Sequence, residues 1–318
     1  MILQCNSLVC GIESILPEGK VLNESLGYES DWIDRIGINS RFIAKESNRL
    51  DEFARIASSR LCDKLSWSID EIDVCVVITQ TPDRQLPGIA IHLQHLLNLR
   101  KNALCFDVNL GCSGYPYGLY LVGSLLEKTQ GKGLLITGDF SSRITDPSDS
   151  ATLPIFSDGL AVTALSYDAN SSMKFSMYSD GEGSKTIHCP SRGALAMDGM
   201  AVFSFALSEI PHHMNTFLDE LSLQPSDVHH VFLHQANKMI SEGIIRRLDW
   251  PNASFPTTLM KYGNTSSASI PITLADHYTG GSPTSSETVL LTGFGVGLSW
   301  GSALVTLDKN LHTNLAFQ

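Results

Sequence analysis

The sequence predicts a layered α/β protein, and three observations support this fold class. The 318 residues are 43% apolar and have a mean hydropathy of +0.04, so the chain can bury a large core. Short runs rich in β-branched residues alternate with stretches of helical periodicity, which is the pattern of helices packed on sheets. The length exceeds what one hydrophobic core usually supports. We therefore expect either two domains or one large layered unit.

The predicted strands are the short apolar runs, and the predicted helices are the longer stretches between them. The strands cover residues 73–79 (DVCVVIT), 133–137 (GLLIT), 160–166 (LAVTALS), 228–233 (VHHVFL), 288–292 (TVLLT) and 302–307 (SALVTL). The helices cover residues 47–65, 87–98, 114–129, 200–221, 236–248 and 268–278.

Two pairs of these segments resemble each other. Residues 134–138 (LLITG) resemble 290–293 (LLTG), and residues 72–80 (IDVCVVITQ) resemble 228–235 (VHHVFLHQ) with a slip of one residue. Repetition of this kind is expected when a chain contains two similar structural units. We predict two similar halves, 1–166 and 167–318, divided near the polar stretch 167–174.

The charge and hydropathy of the chain exclude two classes of partner. The chain has 22 basic and 33 acidic residues and a net charge of −11, whereas nucleic-acid binding requires clustered basic residues to neutralise phosphates. No apolar stretch approaches the roughly 20 residues of a membrane span. We expect neither a nucleic-acid nor a membrane partner, and an acidic partner would need a local basic patch.

The cysteines and histidines predict neither a disulfide framework nor a metal site. The chain has seven cysteines, an odd number without a CxxC pair, which favours reduced thiols in a cytoplasmic protein. One of them is a candidate nucleophile, and the other six are expected to be core thiols. His229 and His230 point to opposite faces of a predicted strand, so they are not expected to bind one metal ion.

Cys112 is the candidate nucleophile because of its position between a strand and a helix. It lies in residues 107–114 (DVNLGCSG), immediately before an amphipathic helix at 115–127. The positive end of a helix favours a thiolate, so we expect the pKa of this thiol to be lowered. The small neighbouring residues would let a substrate approach the sulfur, although a buried structural cysteine is the alternative.

His234 and Asn264 lie in two further polar turns. His234 ends the apolar run in residues 231–237 (VFLHQAN), and strand ends are where the sites of α/β folds collect. Asn264 lies in residues 261–269 (KYGNTSSAS), at the start of a helix of small residues. Each has a structural alternative: a histidine hydrogen-bonded at a strand end, and an asparagine that caps backbone amides.

Taken together, Cys112, His234 and Asn264 resemble the catalytic triad of the thiolase-fold condensing enzymes, and specifically of the ketoacyl-acyl-carrier-protein synthase III family. His234 and Asn264 are 30 residues apart and follow the GCSG motif. Three further segments resemble family signatures: 31–38 (DWIDRIGI), 155–159 (IFSDG) and 293–301 (GFGVGLSWG). The resemblance covers nearly the whole chain. It implies a five-layered α-β-α-β-α fold built from two pseudo-symmetric halves, and a homodimer.

The resemblance also implies a reaction. An acyl group is loaded on Cys112 from an acyl thioester and then undergoes decarboxylative Claisen condensation with a malonyl thioester, in fatty-acid or specialised polyketide-like biosynthesis. The backbone amides of Cys112 and Val296 would bind the oxyanion, and neutral His234 and Asn264 would stabilise the enolate. No cofactor is expected, because the coenzyme A or carrier-protein thioesters are the substrates.

The resemblance assigns substrate-binding roles to Trp32, Arg35, Leu86 and Asn237. Trp32 and Arg35 are three residues apart on one helical face and would stack on the adenine of coenzyme A. Leu86 stands where the family often has an aromatic residue that reaches into the partner's pocket, which favours a longer or branched acyl group.

Three other positions depart from the family pattern. Ser150 replaces an arginine, Met200 an asparagine and Val296 a glycine. The first two belong to the coenzyme A contacts, so both coenzyme A and a carrier protein stay open as acyl donors.

Four cations form the predicted docking surface for an acidic acyl carrier protein: Lys238, Arg246, Arg247 and Lys261. Ser204 stands where the family usually has a further lysine. Two other functions stay open: an acyltransferase that moves the acyl group to an oxygen, nitrogen or sulfur nucleophile, and a non-catalytic subunit of a heterodimeric condensing enzyme. A nucleotide-dependent oxidoreductase is disfavoured because the sequence has no G-x-G-x-x-G motif.

Overall fold

The computed structural model describes residues 1–191 and 193–318. The strands are β1 Leu3–Cys5, β2 Ser7–Leu16, β3 Lys20–Leu22, β4 Ser40–Phe42, β5 Ile72–Ile78, β6 Leu104–Val108, β7 Lys132–Asp139, β8 Gly159–Tyr167, β9 Met173–Ser179, β10 Ile187–His188, β11 Ala196–Met197, β12 His230–Leu233, β13 Glu287–Gly295, β14 Ser299–Leu307 and β15 His312–Phe317. The α-helices are α1 Ser30–Ile36, α2 Leu50–Leu65, α3 Ile89–Leu96, α4 Gly114–Thr129, α5 Gly199–Glu220, α6 Lys238–Leu248, α7 Leu259–Tyr262 and α8 Ser269–His277. All the predicted strands and helices are present, with ends shifted by a few residues.

Two mixed sheets and three layers of helices alternate through the molecule. The larger sheet has the strand order β15-β2-β8-β7-β5-β6, and the smaller has the order β1-β9-β14-β13-β12. Helices α4 and α8 pack between the sheets, α2 and α3 cover the outer face of the larger sheet, and α5 and α6 cover the outer face of the smaller one. The predicted α-β-α-β-α layering is therefore confirmed.

The alternation of side chains along β5 shows why its sequence is apolar throughout. Val74, Val76 and Ile78 face the central helices, whereas Cys75 and Val77 face α2 and α3. Successive side chains of a strand point to opposite faces, so a strand covered on both sides needs a continuous apolar run. The strands predicted most clearly from sequence are of this type.

The two sheets repeat the same core of four strands. The order β2-β8-β7-β5 corresponds to β9-β14-β13-β12, and the pairings in both are antiparallel, antiparallel and parallel. The segments that resemble each other in sequence occupy equivalent strands: residues 134–138 lie in β7 and 290–293 in β13, whereas 72–80 include β5 and 228–235 include β12. The internal similarity of the sequence therefore reflects a structural repeat.

The terminal strands cross between the two repeats. β1 pairs with β9 in the smaller sheet, and β15 pairs with β2 in the larger one. The division into residues 1–166 and 167–318 stays a prediction, and its boundary falls at the end of β8. The crossing strands tie each repeat to the opposite end of the chain.

All seven cysteines are free. The expectation of six core thiols is wrong for Cys189, which is exposed, and Cys10 and Cys105 are half-buried. Cys189 lies in a loop outside the strands and helices, so the apolar context that buries the others is missing there. Across residues 1–191 and 193–318, no helix combines the length and the apolar character that crossing a bilayer requires.

Candidate active site

Cys112 lies in the short turn between β6 and α4. Its side chain is 8% exposed, and two glycines of the C-terminal loop approach it closely. A Cβ atom added at Gly295 would lie 2.8 Å from Cys112 Cβ and 3.3 Å from Sγ, and one at Gly293 would lie 2.9 Å from the Cys112 carbonyl oxygen. Only residues without a side chain fit at these two positions. The glycine-rich loop therefore forms one wall around the sulfur.

The Cys112 thiol is protonated at rest. Burial raises its pKa to about 12, and the negative charge of Asp139 raises it further, whereas the Ser266 hydroxyl opposes the shift. Ser266 Oγ lies 3.9 Å from Cys112 Sγ. The lowered pKa predicted from the helix start is therefore wrong, because desolvation of the thiolate outweighs the field of the helix.

His234 directly follows β12. Its backbone N–H donates to the Thr292 carbonyl at 2.8 Å, which extends the pairing with β13. Its ring packs edge-on against Phe294, with the ring centroids 5.5 Å apart. Burial lowers the pKa of His234 to about 3, so the imidazole is neutral near pH 7.

The Ser269 hydroxyl contacts the imidazole ring of His234. Ser269 Oγ lies 2.7 Å from His234 Nδ1 and accepts a bond from the Gln235 backbone N–H at 3.4 Å. The Ser269 hydroxyl thus holds the orientation of the imidazole ring beside the cavity.

Asn264 is held by its backbone and by one side of its amide. Its N–H donates to the Ile155 carbonyl at 3.1 Å, and its carbonyl accepts from the Ser157 N–H at 2.8 Å. Oδ1 accepts from the Ser266 N–H at 2.9 Å, and among residues 1–191 and 193–318 Nδ2 makes only a 3.4 Å contact with the Ala236 carbonyl. The amide thus caps the local backbone with its oxygen and has a donor to spare.

These three side chains line one cavity. Val296 and Asn237 line the same cavity, and Asn237 Oδ1 also caps α6 by accepting from the Ile240 N–H at 2.9 Å. Most of the remaining wall is apolar and consists of Ile144, Ile155, Phe156, Ile187, Leu195, Met197, Val202, Ile240 and Phe294. The structure therefore brings a thiol, an imidazole and an amide donor together beside a space suited to an aliphatic chain.

Comparisons with known proteins agree with this arrangement. The family model of 3-oxoacyl-[acyl-carrier-protein] synthase III matches residues 106–181, and the model of its C-terminal part matches residues 218–307. A β-ketoacyl-[acyl-carrier-protein] synthase III of Streptococcus agalactiae is 33% identical over 314 residues, which cover 92% of this chain and 96% of that protein. The chain belongs to the β-ketoacyl-[acyl-carrier-protein] synthase III family. It is an acyl-transferring condensing enzyme of this type.

Solved structures of the family have the same fold. A 3-oxoacyl-(acyl-carrier-protein) synthase from Burkholderia xenovorans superimposes with a TM-score of 0.93 at 29% identity, covering 100% of this chain and 99% of that one. The synthase III of Pseudomonas aeruginosa gives a TM-score of 0.88 at 32% identity and covers 96% and 99%. A priming β-ketosynthase from a polyketide biosynthetic pathway gives 0.88 at 27% identity and covers 96% and 98%. The predicted thiolase-like fold is confirmed.

Trp32, Arg35 and Leu86 lie outside the cavity wall. Trp32 and Arg35 line a separate surface groove together with Tyr28, Glu29, Asp31 and Gly27. The Tyr28 and Trp32 rings are 4.6 Å apart. Leu86 is 86% exposed. The substrate-binding roles that the family resemblance gives these residues stay predictions.

The four predicted docking cations differ in their surroundings. Lys261 pairs with Asp276 at 3.0 Å, and Lys238 contacts the Asp34 carbonyl oxygen at 3.1 Å. Arg246 and Arg247 are exposed, and neither has a carboxylate within 4.0 Å in the part of the chain that the structure describes. The two arginines are the cations best placed to meet an external acidic partner.

Sequence reasoning missed Asp139, a buried carboxylate in the cavity wall. Oδ1 accepts from the Thr79 hydroxyl at 3.1 Å and the Gln80 N–H at 2.7 Å, and Oδ2 accepts from the Ser267 hydroxyl at 2.8 Å. Asp139 thus connects the ends of β5 and β7 to the loop that carries Asn264. The available signal was an acidic residue two positions after the predicted strand 133–137, where a strand of a layered α/β fold ends.

Proposed function

We propose that this enzyme condenses an acyl group carried on Cys112 with a malonyl thioester and releases carbon dioxide. The observation that carries the proposal is the convergence of Cys112, His234 and Asn264 on one largely apolar cavity. In the first step Cys112 Sγ attacks the thioester carbonyl, the carbon–sulfur bond of the donor breaks, and the thiol proton leaves with the departing thiol. The backbone amides of Cys112 and Val296 stabilise the tetrahedral oxyanion.

In the second step the malonyl thioester loses its carboxylate. The electron pair of the breaking carbon–carbon bond enters the enolate, so no base is needed at the α-carbon. His234 Nε2–H and Asn264 Nδ2–H are neutral donors that stabilise the enolate oxygen. The enolate carbon then attacks the acyl carbonyl on Cys112, a carbon–carbon bond forms, and the released thiolate regains a proton.

The oriented amide of Asn264 favours condensation over simple acyl transfer, which does not need an enolate donor. The test is to incubate the enzyme with an acyl thioester and malonyl carrier protein, and to measure carbon dioxide release together with the intact mass of the protein. We expect a mass increase on Cys112 and stoichiometric carbon dioxide release. Loading without carbon dioxide release, with transfer to an oxygen, nitrogen or sulfur acceptor, would support the acyltransferase instead.

The groove at Trp32 favours a carrier protein over coenzyme A as the acyl donor. Glu29 and Asp31 face this groove with Arg35 as the one cation among its lining residues, and carboxylates repel the phosphates of coenzyme A. The Tyr28 ring already packs against Trp32, and its hydroxyl donates to the Ser150 carbonyl at 3.1 Å. The carboxylates of the groove and the Tyr28 ring therefore both oppose stacking of an adenine on Trp32.

The acidic carrier would dock at Arg246 and Arg247 on α6, the helix that follows His234 and Asn237. Reversal of both residues to glutamate should lower kcat/KM for carrier-protein substrates about 10- to 100-fold, because close charge pairs at interfaces are worth that much. Turnover of an acyl-pantetheine thioester should change by less than about twofold, because Arg246 and Arg247 lie at the far end of α6, outside the cavity wall. Equal losses with both substrates would contradict the docking role.

The exposed edge of the larger sheet supports a homodimer. β6 is the last strand of that sheet, and its alternate side chains Leu104 and Phe106 are 45% and 36% exposed. Ile91 on α3 is 51% exposed. Unpaired apolar edges invite association unless they are covered. Light scattering of the wild type and of Phe106→Lys tests this, with a dimer expected only for the wild type.

The free cysteines support a reducing compartment such as the cytoplasm.

A further inference from the structure

The catalytic cavity has a polar region among its apolar walls. Gln80, Thr81, Asp139 and Ser141 line the cavity at the ends of β5 and β7. Thr81 and Ser141 are buried, with 6% and 4% exposure. A pocket that accommodates only an alkyl chain gains nothing from buried polar groups, which cost free energy unless they are hydrogen-bonded.

Part of this region is satisfied within the protein. Asp139 Oδ1 accepts from the Thr81 hydroxyl at 3.4 Å in addition to the Thr79 hydroxyl and the Gln80 N–H, and Oδ2 accepts from Ser267. The Thr81 hydroxyl accepts in turn from the Phe140 N–H at 2.8 Å. Both carboxylate oxygens are thus committed to holding the wall. Asp139 and Thr81 form a rigid support and have little capacity left for a ligand.

Two groups remain uncommitted. The Ser141 hydroxyl has no hydrogen-bond partner among residues 1–191 and 193–318. The Gln80 amide donates from Nε2 to Asn109 Oδ1 at 3.2 Å, which leaves its Oε1 without a donor in the same described residues. An acceptor and a hydroxyl that can donate or accept are therefore available at the cavity wall.

The Gln80 oxygen lies beside the residue that precedes the nucleophile. A Cβ atom added at Gly111, the residue before Cys112, would lie 2.4 Å from Gln80 Oε1 and 3.5 Å from Ser266 Oγ. Gln80 and Cys112 also line the same cavity. A group that meets Gln80 would therefore lie toward the thioester end of the acyl chain.

We propose that Gln80 and Ser141 select an acyl group that carries a hydroxyl on one of its first carbons after the thioester carbonyl. The substrate hydroxyl donates to Gln80 Oε1 and accepts from the Ser141 hydroxyl, and the aliphatic remainder packs on the apolar walls. This inference rests on the proposed acyl loading of Cys112. It narrows the substrate class from a longer or branched acyl group to a hydroxyacyl group.

The test compares acyl donors of equal chain length. The full-length enzyme is incubated with 2-hydroxybutyryl, 3-hydroxybutyryl and butyryl thioesters of pantetheine and of acyl carrier protein, and the rate of mass increase on Cys112 is measured for each. We expect at least one hydroxyacyl donor to load about ten times faster than butyryl, because two hydrogen bonds form that butyryl leaves unmade. Equal or faster loading of butyryl would overturn the proposal.

Variants then assign the effect to the two residues. Ser141→Ala and Gln80→Leu should each lower the hydroxyacyl-to-butyryl ratio about three- to tenfold, whereas the exposed Ser148→Ala should leave the ratio unchanged. Because the readout is a ratio within one variant, partial loss of folding does not affect it. A ratio that survives both substitutions would overturn the assignment. Failure of every donor to load Cys112 would contradict the proposed function itself, which separates the two outcomes.

Discussion

Strands β5 and β12 are equivalent in the two repeats, but the two residues that follow each strand have different roles. β5 leads into Thr79 and Gln80, and β12 leads into His234 and Gln235. Thr79 supports the wall through Asp139, whereas its counterpart His234 faces the cavity as a candidate donor. The glutamines show the reverse arrangement. Gln235 is buried with both ends of its amide bonded within the protein, whereas Gln80 keeps its oxygen available.

This difference shows how one duplicated scaffold separates two tasks. The first repeat supplies the nucleophile before the start of α4 and the polar part of the wall that would contact the acyl group. The second supplies the two neutral donors, His234 and Asn264. Burial favours the neutral form of both groups, because it raises the pKa of Cys112 and lowers the pKa of His234. Both groups are therefore uncharged near pH 7.

The largest expected effect concerns the first repeat. Cys112→Ala should lower acyl loading and condensation by at least about a thousandfold, because no other nucleophile replaces the sulfur. Intact-mass measurement after incubation with an acyl thioester checks this. Cys189→Ala is the matched control, because that thiol is exposed and lies outside the cavity, so it should load as the wild type does. Unchanged activity of a heterodimeric complex that contains Cys112→Ala would instead support the non-catalytic subunit.

A substitution in the second repeat should separate the two half-reactions. Asn264→Asp keeps an acceptor for the Ser266 N–H but removes the Nδ2 donor. We expect carbon dioxide release to fall about 100- to 1,000-fold, as when one oxyanion donor is removed, while acyl loading stays within about tenfold. Single-turnover loading and carbon dioxide assays measure the two steps, and the exposed Asn252→Asp is the control. Equal losses in both steps would contradict the division between the repeats.

A smaller effect is expected where the repeats are joined. Asp139→Asn removes one acceptor oxygen and leaves Ser267 or Gln80 with an unpaired buried donor, which typically costs about 1–3 kcal/mol. We expect a lower melting temperature and about a tenfold loss of condensation, because the loop that carries Asn264 loses its anchor. KM for the acyl donor should change less than kcat. A fall in melting temperature with unchanged kcat would assign Asp139 a purely structural role.

The success of sequence reasoning also differs between regions. The doubly covered strands β7 and β13 were predictable, because burial on both faces demands continuous apolar residues. β2 was missed because it contains Glu13, which is 2% exposed and accepts a hydrogen bond at 2.8 Å from Asn314 on β15. Local patterning cannot reveal a partner at the other end of the chain.

The candidate site shows the same limit. The positions of Cys112, His234 and Asn264 in one cavity were foreseen from their motifs. The direction of the Cys112 pKa shift was not, because the desolvation arises partly from Gly293 and Gly295, far along the chain, which close against the sulfur. The Asp139 network joins β5, β7 and the Asn264 loop, and it is visible only after folding brings them together.

The smallest effect is a pH dependence of stability that should differ in sign between the repeats. His234 has a pKa of about 3 in the folded protein and about 6.5 when exposed, so the unfolded chain binds the extra proton between these values. Its contribution to stability is therefore lost as pH falls below 6.5, by up to about 1.4 kcal/mol per pH unit.

Urea unfolding of the wild type and of His234→Gln at pH 7 and pH 5 measures this loss. The contribution of other groups such as His213 is the same in both proteins, so it cancels when the two changes in unfolding free energy are subtracted. The pKa of Cys112 is raised instead, from 9.0 to about 12. Its contribution is present below pH 9 and is lost as pH rises toward 12, so Cys112→Ser should flatten only the alkaline limb. If His234→Gln and the wild type lost equal stability between pH 7 and pH 5, the imidazole would not be buried in its neutral form. The contrast between the repeats would then lose its electrostatic basis.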